Sequence, residues 1–481
     1  MSPLVVGVDV ATAAVRVQVH DSAGALVAAA SRDLPQPRRP AEGRSEQDAA
    51  AWWPAVLDGL AECTGALGDR RGDIASLAIS ATSGTVVLAD RHGAPTGPAL
   101  MYDDRRAVDE GRTAVEVGAE RWQRVGITPS AGSGLARIAW LVGRRTDEAV
   151  RVCHVPDLIA WQLVGRPVAT DTSHALKSGY DPVAAEWAGE VFEALDVPQD
   201  LLPEVVRPTS VLGTVGREAV ERTGLPVGCL VRAGMTDGCA GQLATGAVDV
   251  GQFVTVLGTT LVLKGVSEQR VRDPAGAVYN HLHPDGTWLP GGAANVGGSA
   301  LSDVDDSRLA ELDSAAVERG PSTVVSFPLR GVGERFPFVA EQARGFVLGR
   351  PVDEVDAHRA RLEGVAFCER LALEHLSRLG AEATAAPRTA GGGARSSAWC
   401  RIRASVLNRP IVRVTGAGTA LGAALLAAAG SAHPDLSRAA TAMVPAGEPF
   451  EPVEAEVSRL DESYRQFRAE LRARGWTGAD S

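Results

Sequence analysis

Lysine is almost missing from this chain: Lys177 and Lys264 are the only two in 481 residues, while arginine and alanine abound. That skew fits a GC-rich coding bias and carries no mechanistic weight. No basic run occurs and the formal net charge is -11, which argues against a sequence-independent nucleic-acid surface. The cysteines, Cys63, Cys153, Cys229, Cys239, Cys368 and Cys400, are scattered without a Cys-x-x-Cys spacing. Reduced structural thiols of a cytoplasmic protein are expected. No long apolar run is present; the Ala/Gly-rich stretch over 420–430 is too short to span a bilayer. No charged n-region followed by an apolar core precedes the first strand, so a secretory leader is not expected. The Gly-Lys-Ser/Thr phosphate loop, a strand-linked Gly-x-Gly-x-x-Gly and a Gly-x-Ser-x-Gly elbow are all missing. Two common nucleotide folds and a serine hydrolase are thereby demoted. His281 and His283 alternate on a predicted strand without a third ligand at zinc spacing, so no zinc site is expected. Neither nucleic acid nor membrane is expected as a partner.

What remains is an ordinary globular composition, 45% hydrophobic and 22% charged. The length exceeds one compact core, so two domains are expected, over 1–246 and 247–481. Patterning predicts strands over 4–10, 14–20 and 25–30, with Asp21 to Gly24 as a hairpin turn. Asp48 is the expected cap of a helix running past Trp52 and Leu60. Further strands are predicted over 74–80 and 85–89, and residues 107–165 read as helical. Later come helices over 361–379, 399–407, 416–429 and 457–474, a strand over 411–414, and a loop over 431–450.

Two aspartates lie where apolar strands end in small-residue turns: Asp9 after Leu4-Val5-Val6-Gly7-Val8, and Asp237 after Val231-Arg232-Ala233-Gly234-Met235-Thr236. An unpaired carboxylate is costly inside a buried strand, so both are expected where the strand emerges. The segment Phe253 to Leu263 repeats the strand, threonine turn, strand order of Val6 to Thr12 and its next strand, as an internally duplicated two-lobed fold would. A glycine turn, Gly391-Gly392-Gly393, comes late and leads toward a helix, offering backbone N–H groups and room for a nucleotide. Together these features suggest phosphoryl transfer, which needs positioning, neutralised phosphate charge and a base for the acceptor hydroxyl. Asp237 is the candidate base. Asp9 is a candidate for orienting Mg²⁺ through water or for holding the acceptor, and Thr12 and Thr259 for donating to phosphates. Taken singly, each aspartate reads more readily as a helix cap or strand-end turn; together, with a repeated threonine turn, they favour function. Ser80-Ala81-Thr82-Ser83-Gly84-Thr85 is either a polyol-binding turn or a hairpin with satisfied hydroxyls, and Tyr102-Asp103-Asp104-Arg105-Arg106 either faces a sugar or is a solvated charge run.

In this order along nearly the whole chain, the motifs resemble the FGGY family of carbohydrate kinases. The resemblance rests on the Asp9–Thr12 turn with Arg16, Glu46-Gln47-Asp48 before Trp52-Trp53, the Thr82–Thr85 turn, Asp171 and the turn ending at Asp237. It continues through Leu257-Gly258-Thr259-Thr260, Gly333-Glu334-Arg335-Phe336-Pro337 and Gly391 to Arg395. It implies an α/β, two-domain actin-like (ribonuclease-H-like) fold with an interdomain cleft, and ATP with Mg²⁺ as cofactors. It further implies Asp237 as catalytic base, Asp9 and Ser83 as pentulose ligands, and Asp104 and Arg106 beside the sugar. Thr12, Arg16, Gly258, Thr259 and Gly391, Gly392, Gly393 and Ala394 would serve the nucleotide, and Asp9 the metal. The segments 175–182, 291–298 and 333–337 are most similar to D-ribulokinases, implying C5 phosphorylation of D-ribulose; a monomer or homodimer is expected. Residues 102–106 and the C-terminal helix look closer to xylulokinases. Ala11 stands where the family usually has glycine, and a β-carbon there would strain or narrow the phosphate turn; a non-catalytic sugar-sensing pseudokinase is the reading this motivates.

Overall fold

The computed structural model describes residues 2–478. The chain forms two compact units, each discontinuous in sequence. The first comprises the chain up to Val248, with His281–Gly286 and Ala417–Val444; the second comprises Asp249–Asn280, Thr287–Gly416 and the chain from Pro445.

The first unit is built on a six-stranded sheet ordered Val211–Thr214, Leu230–Arg232, Ile74–Ala81, Leu4–Val10, Ala14–Asp21, Leu26–Asp33. Leu4–Val10 is buried at every residue and pairs in parallel with Ile74–Ala81. Burial on both faces explains why it reads as a continuous apolar run instead of an alternation. Its other neighbour, Ala14–Asp21, is antiparallel and places Arg16 opposite Asp9. The amphipathic helix Trp52–Leu67 buries Trp52, Val56 and Leu60, and Asp48 caps the short 3₁₀ turn that precedes it.

Sequence expectation and structure part in three places. Residues 107–165 are not helical throughout: helices Val108–Val117, Ala119–Val125, Gly134–Val142 and Val155–Val164 are interrupted by the strand Arg151–His154. That strand is too short for its period to stand out between helices. Residues 431–450 are not all loop, since they hold the helix Leu436–Met443 and the strand Glu448–Phe450. Finally, residues 417–444, expected with the second domain, belong to the first unit. The cause is the helix Thr419–Ala428, whose residues from Ala420 onward are all buried. Its small side chains let it lie directly on the sheet: a β-carbon on Gly7 would sit 1.9 Å from the Ala420 carbonyl oxygen. Ser76 Oγ donates to the Ala427 carbonyl at 2.7 Å. On another face, a β-carbon on Gly422 would sit 2.0 Å from the Ala240 carbonyl oxygen, so the helix Asp237–Leu243 packs equally close.

The second unit repeats the arrangement. Phe253–Leu257 and Leu261–Gly265 form an antiparallel hairpin, and Arg388–Ala390 lies parallel to the first strand. Ile411–Arg413 and then Glu448–Phe450 extend the sheet on that side. The helices Glu354–Arg378, Ser397–Leu407 and Glu454–Ala473 cover it over an aromatic core in which the Phe367 and Phe467 rings lie 5.6 Å apart. A buried ion pair fastens helix to sheet: Arg403 holds Glu369 through two 2.6 Å bonds, while Thr255 and Thr389, on adjacent strands, bond to Glu369 and Arg403. No helix among the described residues is long and apolar enough to cross a membrane.

Candidate active site

Asp9 stands one residue from the end of Leu4–Val10 and is only 4% exposed. Arg16 Nη1 donates to Asp9 Oδ2 at 2.9 Å, as the strand register requires. The other oxygen, Oδ1, is buried without a partner. Burial pushes the Asp9 carboxyl above its ordinary range; Arg16 opposes that shift and the nearby charge of Asp237 adds to it. Arg16, expected at the nucleotide, thus spends a guanidinium nitrogen on Asp9. Thr12 is half-buried in the turn between the hairpin strands, and its carbonyl accepts from Gln47 Nε2 at 2.8 Å. Ala11 N–H donates to the Ala14 carbonyl at 3.0 Å. Ala11 keeps a negative φ, for the non-glycine residues of positive φ are Ala185, Asp196, Thr209 and Asn408. The expected strain from its β-carbon is therefore absent.

Asp237 begins the helix Asp237–Leu243 and is half-buried, its Oδ1 accepting from Gly238 N–H at 2.7 Å. A bridge between Ala81 and Thr236 sets the hydroxyl-rich turn beside it. In that turn Thr82 and Thr85 share a hydrogen bond of 3.1 Å, while Ser83 Oγ is buried and unpartnered, as is Ser80 Oγ on the preceding strand. Ser80 is the register partner of Asp9. The first unit therefore brings Asp9, Ser83 and Asp237 to neighbouring strand and helix ends, with three buried polar atoms left unbonded.

Asp104 and Arg106 are close by in sequence but internally engaged. The fully buried Asp104 carboxylate accepts from Ser45 N–H at 2.6 Å and from Arg106, whose guanidinium also pairs with Glu46 at 2.7 Å. Neither side chain is left unbonded.

Sequence reasoning gave no role to the layer beneath Asp237. Asp171 caps the short helix Thr172–Leu176 and accepts from Ser173 Oγ and His174 Nδ1, both at 2.5 Å. Ser173 Oγ in turn accepts from Thr236 N–H at 2.9 Å. An acidic cap followed by Ser-His was the available signal, but nothing in the sequence tells that this turn meets residue 236.

On the second unit, Gly258 and Thr259 are exposed in the hairpin turn, and the Gly258 N–H donates to the Thr260 carbonyl at 3.0 Å. Gly391 has a φ of 90°, and a β-carbon on it would sit 2.7 Å from the Leu257 carbonyl oxygen, so only glycine fits. Space beside Gly392 is open. Ala394 is buried and its carbonyl accepts from Arg413. The glycine turn runs into a single 3₁₀ turn, Gly392–Arg395, before Ser396 caps the helix Ser397–Leu407. No group of three or more His, Cys, Asp or Glu suited to a metal occurs among the described residues. Magnesium delivered with phosphates needs only one or two protein carboxylates, and Asp9 Oδ1 is a buried carboxylate oxygen without a partner.

The comparisons agree with this architecture. Residues 4–244 match the N-terminal domain of the FGGY family of carbohydrate kinases and residues 253–431 match its C-terminal domain. A xylulose kinase of Streptomyces rubiginosus is 32% identical over 410 residues, covering 82% of this chain and 81% of its own. One from Streptomyces coelicolor is 31% identical, covering 85% and 84%. The crystal structure of xylulose kinase from Rhodospirillum rubrum superposes with a TM-score of 0.86 at 29% identity, covering 98% of each chain. With a mixed α/β fold of two actin-like domains and both domain matches in order, the chain belongs to the FGGY family of carbohydrate kinases.

Proposed function

We propose that this kinase transfers the γ-phosphoryl group of ATP to the C5 hydroxyl of a ketopentose. The observation that carries the reading is the placement of Asp9, with its buried unbonded oxygen, and Asp237 at neighbouring strand and helix ends beside the Ser83 turn. Asp237 accepts the proton of the acceptor hydroxyl as the new bond to phosphorus forms. Asp9 and Ser83 orient the sugar; a buried acceptor and a hydroxyl without partners are groups that a polyol satisfies. Thr12, Gly258, Thr259 and the turn Gly391 to Ala394 serve the nucleotide, where the backbone of a turn that excludes side chains permits close approach. Bound Mg²⁺ would neutralise phosphate charge, with Asp9 placed to orient it through water. Asp104 and Arg106 shape the sugar loop through their mutual bonds.

For the sugar, D-xylulose is the first reading, because the relatives at 31–32% identity bear that name. D-ribulose is the second, favoured by the segments 175–182, 291–298 and 333–337. The negative φ at Ala11 removes backbone strain as a ground for a sugar-sensing pseudokinase. The test is coupled ADP release with Mg-ATP across D-xylulose, D-ribulose, L-xylulose, L-ribulose, xylitol, ribitol and glycerol. A kcat/KM preference for one ketopentose is expected. Sugar-induced thermal stabilisation without any ADP release would reverse the reading to a sensor.

A further inference from the structure

Arg137 lies in the middle of the helix Gly134–Val142, on the side that packs inward, and is 1% exposed. The surrounding residues Leu135, Ala136, Ile138 and Ala139 are buried and apolar, the setting in which an unpaired cation is costly. The hydrogen-bond partners of its guanidinium are backbone carbonyls: Nη1 donates to Gly132 and Asp104 at 2.9 Å and to Tyr102 at 3.3 Å, and Nη2 donates to Gly84 at 2.7 Å. Burial pulls the guanidinium down to about 10, against the favourable fields of Asp104 and Asp103. A leucine or methionine would fill this volume without that cost, but would leave four carbonyls without this donor. The cation is therefore best explained by what it joins.

It joins the Thr82–Thr85 turn, through Gly84, to the 102–106 segment, through Tyr102 and Asp104. Gly84 has a φ of 85°, and a β-carbon there would sit 3.0 Å from Arg137 Nη2, so the turn is built against the guanidinium. Asp104, held by its backbone to Arg137, holds Ser45 and Arg106 by its carboxylate. We propose that Arg137 is a positioning residue for sugar binding, a buried fork that fixes the Ser83 turn and the 102–106 segment in one arrangement before substrate arrives. The proposal rests on the reading of the Ser83 turn as a sugar-binding element. The planar fork matters: a lysine ammonium in the same place reaches fewer of these carbonyls at once.

The test uses the full-length protein as Arg137→Met, Arg137→Lys and Ser83→Ala, with kcat and both KM values from ADP release and amide hydrogen exchange on the sugar-free protein. Arg137→Met should raise the sugar KM about ten-fold or more while the ATP KM stays within about two-fold, since small misplacements of positioning groups are felt strongly. Arg137→Lys should recover part of the loss and remains informative if the methionine variant does not fold. Exchange should quicken together in residues 82–86 and 101–106 and stay unchanged in 253–265. Equal rises in both KM values, or wild-type exchange in either sugar-side segment, would overturn the proposal. Faster exchange in both segments beside an unaltered sugar KM in Ser83→Ala would uphold the fork and overturn the assignment of Ser83 instead.

Discussion

Asp171 and His174 are hydrogen-bonded at 2.5 Å and withdrawn from water, and Ser173 links Asp171 to the residue that precedes Asp237 through two hydrogen bonds. Burial alone would discharge both groups, but their mutual attraction outweighs it. Asp171 is held below its ordinary range, and His174 above that of a free imidazole, the field of Asp171 being its main support.

The pair makes stability depend on pH from two sides. His174 contributes fully below the ordinary imidazole value of 6.5, and its share is lost as pH rises through its elevated folded value. Asp171 contributes above 3.8, and its share is lost as pH falls through its depressed folded value. Tm should therefore decline on the alkaline side. In His174→Gln that slope should flatten, with an overall loss of about 3–5 kcal/mol, the scale for breaking a buried pair. Differential scanning calorimetry from pH 5 to 9 checks both; an unchanged alkaline slope in the variant refutes the charged assignment.

Asp237→Asn should lower kcat by roughly 10²–10⁴, the scale for losing a general base. The sugar KM should change little. Rapid-quench measurement of a single turnover separates the chemical step from product release, and near-wild-type turnover would remove Asp237 from the base role.

Arg16→Gln should move the acid limb of kcat/KM to higher pH. Arg16 is the group that restrains the upward shift of the buried Asp9 carboxyl, so without it a larger fraction of Asp9 is protonated at a given acidic pH. A pH profile of sugar kcat/KM in both proteins reads the direction, and an unmoved or lowered limb would show that Asp9 ionisation does not control it.

Gly7→Ala should destabilise the first unit. The added methyl would lie 1.9 Å from the Ala420 oxygen and 2.6 Å from the Ala424 nitrogen, both backbone atoms that cannot rotate away. Overpacking of this kind costs about 1–3 kcal/mol or more. Thermal unfolding monitored by tryptophan fluorescence measures it, and an unaltered Tm would mean that the helix Thr419–Ala428 shifts without cost.

Much of this is legible in the sequence, for identifiable reasons. The hairpins at Asp9 and Thr259 announce themselves because each is a short apolar run broken by small residues, a local signal. Gly391 is legible as a turn, but its exclusion of a β-carbon depends on the Leu257 backbone, a contact that no local pattern encodes. Arg16 and Asp104 read as ligands because charged residues near a motif look available. Strand register and burial also give each a partner within the protein, which the sequence does not tell. Arg137 escapes notice since an arginine among apolar residues on a helix resembles a surface position whose stem is covered. Ser173 and His174 escape for the opposite reason: their partner Asp171 is two and three residues away, but the turn that Ser173 meets lies at 236.

The helix Thr419–Ala428 also sets an order of events during synthesis. The sheet face around Gly7 is complete in sequence by Val248, while the helix that covers it ends only after 180 further residues, since 428 − 248 = 180. At the usual pace of translation that is roughly ten to forty seconds with an uncovered apolar surface. The amino-terminal half of this kinase therefore cannot finish folding as it leaves the ribosome. Its sheet must wait for a segment made near the end.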